Sequence, residues 1–310
     1  MYINHNQMAT QVANTLTSHY GNLSSSVQRL STGLRINSAA DDAAGLAIRE
    51  LMRTDIAALQ QGVRNANDAI SLIQTADGAL AVIDEKLVRM KELAEQAATG
   101  TYDSTQRLMI ESEYQAMASE ITRIANATDF NGIHLLDGSL SSNTHKGDGT
   151  GLDMNGKSDG LSSTGKMKIH FGSMNDSAED YYYIQIGTST ASALGVGNQA
   201  VDSTGKLRDG GSISTQEAAQ KALVALNDAV VSKDKIRAHL GALQNRLENT
   251  ISNLTTQTQN LQAAESRISD VDVATEMTAF VRNQILTQSA VAMLSQANSM
   301  PQMAMQLIGR

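Results

Sequence analysis

The chain has 310 residues and a formal net charge of −8. That length allows two or three domains, and the acidic balance excludes the basic face that a nucleic-acid partner requires. Cysteine is absent, which excludes disulfides and thiolate metal sites. Aromatic residues are only 3% and tryptophan is absent, so a core must be built from Leu, Ile, Val, Ala and 14 Met, which suit helix-on-helix packing.

The first segment, 1–36, holds no Asp or Glu, and its only basic residues are Arg29 and Arg35. Leu16, Leu23 and Leu30 recur every heptad, with Ala13, Tyr20, Val27 and Leu34 between them. This alternation predicts an a/d seam along a helix. Met1–Leu16 lacks the basic region and apolar run of a cleaved secretory signal, so export would need another route. A break is expected over Asn37–Asp42, where Asp41 and Asp42 can start the next helix.

From ~44 to ~98 the heptads resume through Leu59, Ala66, Ile73, Leu80 and Leu87, with Ile56, Val63 and Ile70 alongside and Ile83 and Met90 further on. Such a helix is about 80 Å long at 1.5 Å per residue. Gly100 ends it, and Asp103 or Ser104 can cap a third helix over ~105–127, striped by Ile110, Tyr114, Met117, Ile121 and Ile124. Asn131-Gly132 signals a hairpin. Segment 141–214 is rich in Gly, Ser, Thr, Asn and Asp and reads as a small β or loop-rich insert, with Met167–Phe171 and Tyr181–Ile186 as short strands.

The last third mirrors the first. Leu240, Leu247, Leu254 and Leu261 repeat every heptad, with Ile236 and Leu243 between, predicting a helix over 215–264. A break at Ser266–Asp272 precedes a final helix from 273 to ~300, ended by Pro301, the one proline. Met277, Phe280, Val281, Ile285, Leu286, Val291, Met293 and Leu294 spread apolar surface around it. Segment 274–310 carries only Glu276, Arg282 and Arg310 as charges. No apolar run approaches the ~18 residues of a membrane span.

The pattern predicts a mainly α fold in which the long helices pack antiparallel as a coiled coil, with the insert at the far end. The arms 1–36 and 265–310 then emerge side by side. Isolated amphipathic helices are marginal in water, so alone the arms should fray, and packing against other copies should order them. Contacts that do not close on themselves build helical filaments. Leu16, Tyr20, Leu23, Val27, Leu30, Leu34, Met277, Phe280, Val281, Ile285, Met293 and Leu294 are the expected polymer contacts.

Several segments closely resemble one family, the bacterial flagellins. They are RLSTGLRINSAADDAAGLAI at 29–48, QGVRNANDAISLIQTADGAL at 61–80, EITRIANATDFNGIHLL at 120–136, ESRISDVDVATEMTAF at 265–280 and QSAVAMLSQANSMPQMAMQLIGR at 288–310. The likeness covers about 1–140 and 215–310, and Ala40, Ala69 and Glu95 are small departures from it. It implies a filament subunit with paired terminal helices (the D0 layer) on a long-helix layer (D1). It also implies unfolded export through the flagellar type III apparatus and a chaperone on the C-terminal arm. Assembly would occur at the distal tip under a cap protein, beyond hook-junction proteins, in the extracellular filament. By the same resemblance, Arg89, Leu93 and Glu113 would form the patch read by Toll-like receptor 5 of a vertebrate host, with Lys91 where Arg is usual. A hook–filament junction protein or a minor flagellin is the near alternative and a coiled-coil signalling module the distant one.

No catalytic or cofactor constellation emerges. The histidines at 5, 19, 134, 145, 170 and 239 are scattered, and neither a His-Glu-x-x-His motif nor a Walker A loop occurs. Gly147–Gly151 with Asp153, Asn155 and Asp159 misses the EF-hand spacing. Asn22, Asn126, Asn175 and Asn253 begin N-x-Ser/Thr triplets that read as chance, and O-glycosylation of Ser or Thr in the insert is the better modification candidate. Met293, Met300, Met303 and Met305 fit either a chaperone-binding surface or adaptable packing inside a tube.

Overall fold

The computed structural model describes residues 6–141, 165–174, 176, 179–198, 200 and 208–308, with backbone alone for 304–308. The calcium-like segment 147–159, His145, Asn175 and the Met305 side chain lie outside the described residues. Among the described residues, six helices and two small hairpins follow in order: α1 (Gln7–Thr32), α2 (Ala43–Ala98), α3 (Ser104–Ala127), β1 (Asp129–Phe130), β2 (Ile133–His134), β3 (Met167–His170), β4 (Tyr181–Ile184), α4 (Ala191–Leu194), α5 (Gln216–Ser269) and α6 (Val273–Ile308). The chain forms two compact units, one from 1–57 with 257–310 and one from 58–256.

In the first unit, α1 starts at Asn6, whose Oδ1 accepts the Ala9 N–H at 3.1 Å. It ends at Gly33, at φ 73°, a left-handed conformation that glycine adopts without a Cβ penalty. Leu34 therefore leaves the helix and bridges to Asp270, so the seam predicted to reach it stops at Leu30. Asp42 caps α2 by accepting the Gly45 N–H. Asp41 instead ties the preceding turn, accepting from the Asn37 and Ser38 N–H groups and the Ser38 hydroxyl. Arg49 is buried and donates to the Ile36 carbonyl at 2.9 Å, which closes that turn onto α2.

Both arms are helical and lie against each other, where the sequence pattern predicts fraying. Asn6 Nδ2 donates to the Ala297 carbonyl at 2.8 Å, and Arg29 reaches Glu276 at 3.8 Å, so α1 and α6 run antiparallel. Two other expectations change. Helix α5 continues past 264 to Ser269, with Ser266 Oγ bonded to Asp270. Helix α6 does not stop before Pro301 but carries it inside and runs on to Ile308. An interior proline costs roughly 3 kcal/mol, in part because it leaves the i−4 carbonyl without its N–H; here that carbonyl is Ala297, and Asn6 Nδ2 donates to it at 2.8 Å.

In the second unit the heptad seam of α2 is continuous. Gly62, Ala66, Ala69, Ile73, Ala76, Leu80, Ile83, Leu87, Met90, Ala94 and Ala97 are buried in strict alternation of three and four. Helix α5 answers with Ala219, Ala222, Leu226, Ala229, Lys233, Leu240, Leu243 and Leu247. Cross-bonds Asp77–Arg237, Asp84–Lys233 and Lys91–Asn227 show the two helices antiparallel. Helix α3, held at its start by a capping box between Asp103 and Gln106, buries Tyr114, Ala118, Ile121 and Ala125. The Tyr114 hydroxyl donates to the Gly210 carbonyl at 2.7 Å, and its burial raises its pKa well above the phenolic norm. The β3–β4 hairpin sits on the coil: Asn65 donates to the His170 carbonyl, Arg246 stacks on the Tyr182 ring, and Gly62 leaves room for the Phe171 backbone.

Candidate assembly surface

The arm helices show which residues satisfy the chain itself and which do not. On α1 the side facing α6 carries Ala9, Val12, Leu16, His19, Leu23, Ser26 and Leu30, in heptad alternation. The predicted leucine line is therefore in the seam. Its companions are Val12, His19 and Ser26, while Tyr20 and Val27 stand about half exposed. On α6 the buried or half-buried line is Glu276, Phe280, Asn283, Thr287, Ala290, Leu294, Ala297 and Pro301. Phe280 and Leu294 thus turn inward, whereas Met277, Val281, Ile285 and Met293 are exposed, as are Val273, Leu286, Val291 and Met303.

The inward stripe of α6 is mostly small or polar, and its larger apolar side chains face solvent at 39–60% exposure. Contiguous exposed apolar surface on a soluble chain marks an interaction site. The charges on the two helices are few, Arg29 on α1 with Glu276 and Arg282 on α6, and Arg29 lies between Asp41 at 3.5 Å and Glu276 at 3.8 Å. Hydrogen bonds of the Ser38 side chain and backbone lower the Asp41 pKa, and bonds from Thr275 and Ala274 lower that of Asp272, which begins α6. The polar seam is not fully satisfied, since His19 Nδ1 is buried without a partner.

The second predicted patch divides. Arg89 donates through Nε and Nη2 to Glu113 at 3.0 and 2.7 Å and through Nη1 to Glu92 at 2.9 Å. Both partners are exposed, and the bonds to Glu113 and then Glu92 favour the charged guanidinium. Leu93, by contrast, is 1% exposed and belongs to the core, because it falls beside Ala94 on the seam side of α2. Lys91, where Arg was expected, donates to Asn227 of α5 at 2.8 Å. Among the described residues, no group of three His, Asp or Glu is arranged to hold a metal, and no helix is long and apolar enough to cross a membrane.

Residues 3–141 match the family model of the bacterial flagellin N-terminal helical region, and residues 223–308 match that of the C-terminal helical region. The chain is 40% identical over 308 residues to the flagellar filament 33 kDa core protein of Treponema phagedenis, covering 99% of this chain and 100% of that protein. It is 42% identical over 314 residues to flagellin of Bacillus subtilis (strain 168), again across 99% and 100%. A solved putative flagellar hook-associated protein from Vibrio parahaemolyticus superposes with a TM-score of 0.53 at 14% identity, over 74% of this chain and all of that one, a likeness of fold alone.

Proposed function

The chain belongs to the bacterial flagellin family and is a structural subunit of the flagellar filament; on that premise we propose that it polymerises through the exposed apolar faces of α1 and α6. The observation that carries this is the placement of residues on α6. The helix turns Asn283, Thr287, Ala290 and Ala297 inward and leaves Val281, Ile285 and Met293 to solvent. Copies packed side by side would bury those residues and gain the apolar transfer energy the isolated subunit forgoes.

The finer reading follows. Arms 1–36 and 265–310 line the inside of a tube, 37–140 and 215–264 build its wall, and the insert 141–214 faces outward. The low charge of the arms supports an interior place, since burying unpaired charge is costly. Subunits leave the cell unfolded through the type III route with a chaperone on α6, and add at the tip beneath a cap, beyond hook-junction proteins. The chain is structural and not catalytic. A host Toll-like receptor 5 would meet Arg89 and Glu113 at the surface, with Leu93 supporting them from the core.

Val281→Asp with Ile285→Asp tests the interface. Both side chains are already exposed, so helicity by circular dichroism should hold while electron microscopy shows no filaments. Filaments forming at the wild-type threshold concentration would overturn the assignment. Deleting 1–35 or 280–310 should likewise abolish polymerisation and leave 44–264 helical.

A further inference from the structure

With no cysteine, the 14 methionines are the chain's only sulfur. Met90 is fully buried in the core of the second unit. Met8 on α1 and Met277, Met293 and Met303 on α6 are 44–61% exposed, on the same solvent-facing surface of the arms that the polymer reading assigns to contact with other copies. Met109 on α3 and Met174 after β3 are also exposed and belong to the second unit. Among the described residues, burial thus sets Met90, shielded in the free subunit, apart from the exposed thioethers of the second unit and from four exposed on the arms, which the polymer reading places under a neighbour.

We propose that Met8, Met277, Met293 and Met303 form an oxidation-sensitive site that decides whether a free subunit can join the filament, with hydrogen peroxide as the reagent. The inference rests on the reading that the exposed faces of α1 and α6 are polymer contacts. A sulfur lone pair attacks one peroxide oxygen and the S–O bond forms as the O–O bond breaks. Sulfur is oxidised by two electrons, peroxide is reduced, and proton transfer to the departing oxygen releases water. The product is a sulfoxide, polar and chiral where a flexible apolar side chain stood. That group must then be desolvated without a designed hydrogen-bond partner when the arms pack. In the assembled filament the same sulfurs are covered, so peroxide acts on subunits awaiting addition and spares the polymer already built.

The test treats the full chain with hydrogen peroxide, once as depolymerised subunit and once as filament. Sulfoxides are mapped by peptide mass spectrometry, and the critical concentration is read from sedimentation. The treated subunit should carry sulfoxide at all four sites and show a critical concentration raised about tenfold or more, the change expected from losing one well-buried apolar contact. Methionine sulfoxide reductase should restore assembly, and the filament should be protected at those four positions. The variant M8L/M277L/M293L/M303L should polymerise normally and remain insensitive to peroxide. The proposal is overturned if oxidised wild type assembles unchanged, if the four sites react equally fast in filament and subunit, or if the Leu variant loses assembly on treatment as wild type does. If untreated wild type builds no filament, the interface reading itself fails and takes this inference with it.

Discussion

Lys233 occupies a core position of the α5 heptad seam, between Ala229 and Leu240, with its side chain 2% exposed. Its Nζ lies 2.5 Å from Asp84 Oδ1 and 2.8 Å from Asp234 Oδ1. One turn on, Arg237 holds Asp77 through two bonds of 2.7 and 3.1 Å. Removing one partner of a buried ion pair costs about 3–5 kcal/mol when the survivor is left uncompensated. Here Lys233 keeps Asp234, and Asp84 is itself 36% exposed, so Asp84→Ala should cost only about 1–2 kcal/mol. Lys233→Met should be neutral or stabilising by about 1–3 kcal/mol, because it removes the desolvated ammonium and leaves two hydrated carboxylates. In the Met background Asp84→Ala should then cost almost nothing. Urea denaturation of the depolymerised subunit, followed by circular dichroism, measures the cycle. The reasoning is refuted if Asp84→Ala costs the same in both backgrounds, or if Lys233→Met destabilises by more than about 1 kcal/mol. What Lys233 contributes is register. A one-heptad slip of α2 would set it against Lys91 in one direction, and in the other would leave Arg237 facing Ile70.

Gly62→Ala places a methyl group into the Phe171 backbone and should cost about 1–3 kcal/mol, whereas Gly78→Ala meets open space within α2 and should stabilise by up to about 1 kcal/mol; urea midpoints decide both. Asp41 and Asp272 have folded-state pKa values below 3.8, so their contribution is complete above about pH 4 and is lost as pH falls through the folded values. Asp272→Asn, which still caps a helix, should leave neutral-pH stability nearly unchanged and flatten the loss of ellipticity as pH falls below about 4; an unaltered acid limb would contradict this. Arg89→Ala breaks the tie to Glu113 and Glu92 and should reduce Toll-like receptor 5 signalling by depolymerised subunit, and an unchanged cell-based response would remove that patch from consideration.

The long helices were legible because a heptad repeat sustained over many turns has few other solutions: α2 and α3 begin within one residue of the predicted starts and end where predicted. The seams were half legible. In α1 the leucines at 16, 23 and 30 fit two companion lines equally well, and apolarity favours the line through Tyr20 and Val27, yet the chain buries His19 and Ser26. In α2 the companions are Gly62, Ala69 and Ala76, not Val63 and Ile70, since small residues let helices approach closely. Lys233 shares the heptad phase of Leu240 and Leu247 and could have been found by counting back, but a lone lysine reads as solvated. Leu93 lies in the core, which a motif could not tell, because it fixes position along a helix and says nothing of which face the neighbours cover. Pro301 could not be placed from local propensity, because the carbonyl that its missing N–H leaves free, that of Ala297, is taken by Asn6 from the other end of the chain.

The size order of the arm residues is best understood as a division of labour. Had α1 and α6 turned Tyr20, Val27, Val281 and Ile285 toward each other, the pair would be satisfied alone and would have little reason to bind a second copy. Had they not paired, both apolar faces would be bare and the free subunit would aggregate without order. Asn283, Thr287, Ala290 and Ala297 on the inward side of α6, with His19 Nδ1 left unpartnered on α1, keep the intrachain pairing modest. The ion pairs of Arg29 at one end fix its alignment. The larger side chains remain available at a defined angle and register, so a neighbour meets a shaped surface and not a loose apolar tail. The low charge of the arms follows from the same requirement, because any exposed Asp or Lys on those faces would have to be desolvated each time a subunit is added.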